Sequence, residues 1–333
     1  RMLNAKCARC DREAQGKKMR WPPDLLEMVL NGCQPVLRIS ISLGMGISVL
    51  YKVVLIIDHG ISLSNVILYI FRVDPSTNII DRGKIFCDGA KKHHVWIQSG
   101  SFLEVDPRWP DALFNTTVLI SPNGEILSRY RKVNPWIPWE VHTSPHDIPG
   151  YDEPLFPVTE TEIGKLGVAT CYDWLFPETC RELTLGGAEV LIRISAYMDP
   201  WGATEPLDWW TLINRSRAVE NLAAVVACNQ GASTDHYPPF SWPGSSMIVD
   251  LDGRVLTQAA AGPGQANVVG PVALGNLREE RRRRQGHAMP AHLRTEAYPR
   301  QRKSCYPGNP QSEQRRIRAL NESIQSAKDK QGW

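Results

Sequence analysis

Apolar and polar positions along this chain fall into short blocks, and from about residue 79 those blocks take on a regular order. Residues 82–92 carry apolar positions at helical spacing and predict an amphipathic helix. Residues 94–103 predict a strand, and residues 115–120 another. The second runs into Ser121-Pro122-Asn123-Gly124 and returns over 125–130, a hairpin with a Pro-Asn-Gly turn. Residues 164–169 form a short apolar run of core-strand size, ending just before Cys171. Asp173 breaks that pattern, and Pro177 suits the first turn of a helix over 177–186. A strand at 189–195, a helix at 207–221, a strand at 222–229 and a second hairpin with Asp252-Gly253 at its turn complete the regular part.

Strands alternating with helices, mixed with hairpins, imply an α/β layered domain with mixed sheets; a two-sheet sandwich with helices outside fits. The flanks differ in texture. Residues 1–33 are polar and mixed. Residues 35–71 are rich in Ile, Ser and Gly and predict strands and loops, because Arg38, Lys52 and Asp58 keep every apolar run too short to span a membrane. From 277 the chain turns basic, and 300–333 is a polar tail. The expected division is 1–72, a divergent or altered segment that supplies some strands; 73–276, the main domain; and 277–333, a basic helix and tail.

Composition narrows the function classes. The 333 residues carry a formal net charge of +3, too little to imply a polyanionic partner. Arg281 to Arg284 lack interleaved aromatics and read as a solvated or subunit-facing helix face, with no nucleic acid and no membrane expected. The eight cysteines are irregularly spaced and read as reduced thiols, and no secretory-signal pattern opens the sequence, so a cytoplasmic location is expected. Cys7 and Cys10 have metal-ligand spacing but no second pair, and His93-His94 stands alone; no metal and no cofactor are expected. Of the 11 tryptophans, Trp174, Trp201, Trp209 and Trp210 flank the Cys171 strand and the next connection. They can shape an acyl pocket, with core packing expected for at least two.

Two stretches carry candidate chemistry. Cys171 ends a strand near a helix N-terminus, where partial exposure and the helix dipole favour a thiolate. A buried, inert cysteine is the alternative. The first hairpin delivers Lys132 to a stiff loop holding Pro135, Trp136, Pro138, Trp139 and Glu140, which can keep a polar group in a water-poor pocket. A surface lysine and glutamate are the alternative there. Ser195 and Tyr197 close the next strand, where a substrate would sit.

Tyr130-Arg131-Lys132 after a hairpin, then Pro135-Trp136 and Glu140, then Cys171-Tyr172-Asp173 with Phe176-Pro177-Glu178, resembles the nitrilase superfamily of carbon–nitrogen hydrolases. The likeness is greatest to its aliphatic amidase and formamidase branch. It continues through Gly187-Ala188-Glu189, Asn214-Arg215, Ala227-Cys228-Asn229 and Gly244-Ser245-Ser246, and covers about residues 79–275. The resemblance implies a four-layer αββα sandwich with a C-terminal tail, assembling as a homodimer or higher homo-oligomer. It implies a Glu-Lys-Cys triad in which Cys171 is the nucleophile and Lys132 holds the oxyanion. Glu140 would position substrate and assist proton transfer, with Tyr172, Trp136, Ser195 and Tyr197 lining the substrate site. The expected reaction is hydrolysis of a small amide to acid and ammonia through a cysteine thioester. Alternatives are a nitrilase or N-carbamoyl amide hydrolase on the same fold, or an impaired relative that only binds amides.

The chemistry is consistent with that expectation. An amide carbonyl is a weak electrophile, so a thiolate must attack it, a cation or N–H must hold the resulting oxyanion, and a carboxylate must move the thiol proton. The triad's first glutamate has no counterpart in a Phe-Pro-Glu-like segment. Near the family's offset from Lys132 stands Asp58, ending the apolar run at 53–57 with Ile57 in place of the usual proline. Asp58 is therefore a shortened stand-in for the base, or residues 1–72 are altered, or activity is impaired.

Overall fold

A computed structural model of the chain describes residues 39–40, 51–58, 65–72, 79–136, 140, 142–231, 242–262, 266–301, 325 and 328–329, with side chains from Lys84 onward. Cys7 and Cys10 lie outside the described residues.

Two sheets form the interior. Strands Ile39–Ser40 (β1), Tyr51–Asp58 (β2), Asn65–Arg72 (β3), Trp96–Gln98 (β4), Phe102–Asp106 (β5), Trp109–Ile120 (β6) and Ile126–Arg131 (β7) belong to the first. Strands Val158–Thr161 (β8), Gly164–Thr170 (β9), Val190–Ser195 (β10), Ala224–Asn229 (β11), Met247–Val249 (β12) and Val255–Gln258 (β13) form the second, and Asn267–Val268 (β14) returns to pair with β1. The first sheet runs β14-β1-β3-β2-β4-β6-β5 with β7 also on β6, and the second runs β13-β12-β11-β10-β9-β8. In the second, β9, β10 and β11 are parallel neighbours, and every residue of β10 and β11 is buried. Strands covered on both faces read as continuous apolar runs, which is why they stand out in the sequence.

Helix Ile79–His93 (α1) lies on the first sheet at β4 and β6, with Lys91, Lys92 and His93 in its last turn opposing the helix dipole. Helices Pro177–Leu185 (α2) and Trp209–Asn221 (α3) cover the second sheet. One core joins Trp96, Leu119 and Tyr130 of the first sheet to Val168, Leu191 and Val226 of the second. The order is α, β, β, α, the sandwich expected. Close approach of α2 depends on Gly167 in β9, where an added Cβ would stand 3.1 Å from Ala188 Cβ and 3.2 Å from Leu183 Cβ. Asp208 caps α3, its side chain accepting from Thr211 N at 3.4 Å.

Three expectations change. The strand predicted at 94–103 divides into β4 and β5, because at Ser99 side chains replace the ladder: Val118 N donates to Ser99 Oγ at 2.9 Å and Thr117 Oγ1 to Ser99 O at 2.6 Å. The strand predicted at 222–229 starts at Ala224, because Leu222 ends α3 in a left-handed conformation (φ 49°). The basic helix is Leu274–Arg283 (α4), beginning ahead of the expected boundary at 277 and burying Leu277 in the core. Within its arginine run, Arg282 and Arg283 are exposed as expected, but Arg281 is not a solvated side chain. It turns inward and donates to Leu222 O and Ala188 O, each at 2.8 Å, satisfying carbonyls at the ends of α3 and of the turn after α2. No helix among the described residues is long and apolar enough to cross a membrane.

Candidate active site

Strand β9 ends at Thr170, and the backbone turns at Cys171 into the left-handed region (φ 52°). For a residue with a Cβ this conformation costs on the order of 1–2 kcal/mol, so the surroundings must hold it. A 3-10 turn, Cys171–Leu175, follows and runs into α2. The thiol stands at this junction, half-buried.

Asp173 holds the turn. Its side chain is fully buried and accepts four hydrogen bonds. Thr170 N (3.0 Å) and Tyr130 OH (2.7 Å) reach one oxygen, while Asn134 N (2.8 Å) and Asn134 Nδ2 (3.0 Å) reach the other. One carboxylate thus ties the end of β9 to β7 and to the loop after Lys132. Burial raises the Asp173 pKa, against the Lys132 charge and these donors. All four partners donate, so the geometry fits the ionised form.

Lys132 follows β7, anchored by its backbone N–H to Asn115 O at 2.8 Å, and its side chain is fully buried. Its Nζ lies 2.5 Å from Glu140 Oε2, which also accepts Trp136 N at 2.6 Å and lies 3.7 Å from His142 Nδ1. Burial favours the neutral amine, but Cys171, Glu140 and Asp173 outweigh it and leave the Lys132 pKa above its usual value. Burial likewise opposes the Glu140 anion, yet the imidazole of His142, the Lys132 ammonium and the Trp136 N–H bring its pKa down to about 2. At neutral pH this is a fixed ammonium–carboxylate pair. A carboxylate so depressed has little affinity for a proton, which suits it to orienting Lys132 more than to accepting the thiol proton.

Cys171, Lys132 and Glu140, far apart in sequence, are therefore brought to one place, with Lys132 feeling both partners. The remaining expected residues sort differently. Tyr172 is half-buried, edge-on to Phe176 with centroids 5.2 Å apart. Trp136 meets Trp201 edge-on at 5.8 Å, placing the lysine loop against the connection after β10. Ser195 is buried at the end of β10, and its Oγ meets no partner among the described residues. Tyr197 is committed to the scaffold: its hydroxyl donates to Trp201 O at 2.9 Å and its backbone is clasped by the Asn229 amide. Trp174 and Trp210 are fully buried core residues, whereas Trp201 is 49% exposed and Trp209 44%. Asp58 ends β2, in register with Asn65 of β3; its side chain lies outside the described residues. Among the described residues, no group of three or more His, Cys, Asp or Glu is placed to hold a metal ion.

Sequence reasoning passed over Asp173, Asn134 and Tyr130 as an assembly. The available signal was local: an Asp three residues after a strand-ending Thr is a common acceptor for backbone N–H groups.

A two-sheet sandwich with helices on both outer faces, and a thiol, lysine and glutamate gathered at its strand ends, defines a class of hydrolase. The profile of the carbon-nitrogen hydrolase family matches residues 84–279, and the chain belongs to that family. A formamidase of Bacillus thuringiensis (strain Al Hakam) is 34% identical over 182 residues, covering 54% of this chain and 49% of the relative. The chain thus spans about half the length of the curated relatives it matches. Among solved structures, a carbon-nitrogen hydrolase from Helicobacter pylori G27 superposes with a TM-score of 0.56 at 25% identity, covering 68% of this chain and 76% of that one. The C. elegans NitFhit protein superposes with a TM-score of 0.51 at 27% identity, covering 65% and 50%.

Proposed function

We propose that this chain hydrolyses the carbon–nitrogen bond of a small amide, giving a carboxylic acid and ammonia through a thioester on Cys171. The observation that carries this reading is the buried Lys132 ammonium, fixed 2.5 Å from Glu140 and electrostatically coupled to Cys171 at the end of β9. The formamidase relatives support the amidase branch.

In the proposed reaction the Cys171 sulfur attacks the amide carbon and the carbonyl π electrons move onto oxygen. Lys132 stabilises that oxyanion inside a water-poor site, an effect worth a few kcal/mol in comparable enzymes. The oxyanion collapses, the C–N bond breaks, and the thiol proton leaves with nitrogen as ammonia. Water then attacks the thioester, the C–S electron pair returns to sulfur, and the acid departs. With Glu140 held as an ion pair, the proton carrier is assigned to the carboxylate ending β2, Asp58.

Ammonia release from a panel of short-chain and aryl amides, with Cys171→Ala as control, tests the proposal. Release abolished by that substitution is expected. A folded protein that releases no ammonia from any amide, nitrile or carbamoyl compound sinks it.

A further inference from the structure

We propose that Arg193 is a positioning residue for Cys171: a fully buried guanidinium beside the turn that carries the thiol, holding its sulfur as the anion. The idea rests on Cys171 being the nucleophile, but its test needs no hydrolysis.

Buried cations are expected to meet carboxylates, because an uncompensated charge in the interior is costly. In this protein Arg131 meets Glu104 and Asp106, Lys132 meets Glu140, and Arg217 meets Glu220. Arg193 is the exception. Its Nη1 donates to the neutral Asn214 Oδ1 at 2.8 Å, and its Nε and Nη2 meet no partner among the described residues. Its charge is sheltered by rings, with the guanidinium carbon 4.2 Å from the Trp210 centroid and 5.5 Å from those of Trp174 and Tyr197. Such contacts contribute roughly 2 kcal/mol when desolvated, too little to replace an anion.

Position identifies the missing counter-charge. Strand β10 runs parallel to β9, Arg193 pairs with Ala169, and the register ends at Ile194–Thr170, immediately before Cys171. β10 also packs against the turn Cys171–Leu175. Burial brings the Arg193 pKa down to about 10, still a cation at neutral pH, and the groups pulling it back up are Cys171, Tyr197 and Cys180. Two of these stay neutral. Burial takes the Cys180 thiol to about 12, and Tyr197 is raised by burial with its hydroxyl donating to Trp201 O. Cys171 alone of the three stands half-exposed at the candidate site. What a nearby anion does for the guanidinium, the guanidinium does for the anion. Arg193 would favour the attacking sulfur and, on thioester hydrolysis, the sulfur that takes back the C–S electron pair.

The test is alkylation of Cys171 by iodoacetamide at pH 7, followed by mass mapping of the Cys171 peptide, with folding checked by circular dichroism. Alkylation follows the thiolate, so removing the charge in Arg193→Met is expected to slow it by about tenfold or more, while Arg193→Lys stays within about threefold of the natural protein. A folded Arg193→Met that alkylates within about threefold of the natural rate overturns the proposal. So does an equal loss in the Met and Lys variants, which marks packing instead of charge. Failure of both to fold assigns Arg193 to the scaffold and also overturns it. Absent ammonia release alongside charge-dependent alkylation sinks the hydrolysis reading alone.

Discussion

Lys132 Nζ and Glu140 Oε2 stand 2.5 Å apart, with the lysine fully buried and the glutamate depressed to about pKa 2. A depressed folded-state carboxylate stabilises the fold above its unfolded pKa, near 4.3, and that contribution is lost as pH falls through the folded value. The natural protein should therefore lose stability relative to Glu140→Gln between about pH 4.5 and pH 2, by at most about 3 kcal/mol. Urea unfolding of both proteins across that window measures it. Parallel stability curves would show the pair to be weakly coupled.

Tyr130 OH donates to Asp173 Oδ2 at 2.7 Å inside the core. Tyr130→Phe removes one of four donors and should cost about 1–3 kcal/mol in urea melts. Asp173→Asn is expected to cost more, on the order of 3–5 kcal/mol, because its amide would point hydrogens at groups that themselves donate. A milder effect from Asp173→Asn than from Tyr130→Phe contradicts the four-donor arrangement.

Asp58 ends β2 with a side chain one methylene shorter than glutamate. If it carries the thiol proton, Asp58→Glu should raise kcat for ammonia release by about tenfold or more, since reach of a fraction of an ångström matters at the reacting atoms. Asp58→Asn should abolish release while leaving Lys132–Glu140 intact. Equal rates in all three proteins would remove Asp58 from the reaction.

Arg281 and Arg283 lie in one basic run with different surroundings. Arg281→Ala strips hydrogen bonds from Leu222 O and Ala188 O and should destabilise by about 1–3 kcal/mol. Arg283→Ala breaks an exposed pair with Glu280 and should stay within about 0.5 kcal/mol. Thermal melts of the two proteins check the contrast.

The layered architecture was legible because β9, β10 and β11 are covered on both faces and must be apolar throughout, a signal that survives without coordinates. The first hairpin was equally plain, since Gly124 takes the positive φ (81°) its turn requires. The division at Ser99 was not, because it depends on hydroxyls from β6 reaching across the sheet. Cys171, Lys132 and Glu140 were named from motif spacing. The four donors on Asp173 come from three separate segments, so no local pattern could announce them.

By itself the sequence determined the order of strands and helices, the family likeness and the residue types at the candidate site, all properties of local spacing. Only the tertiary structure decided which charges are paired. It set Glu140 on Lys132, turned Arg281 inward, and left Arg193 without a carboxylate beside the Cys171 turn. Pairing depends on distances and burial between segments far apart in the chain, and those distances set the electrostatics.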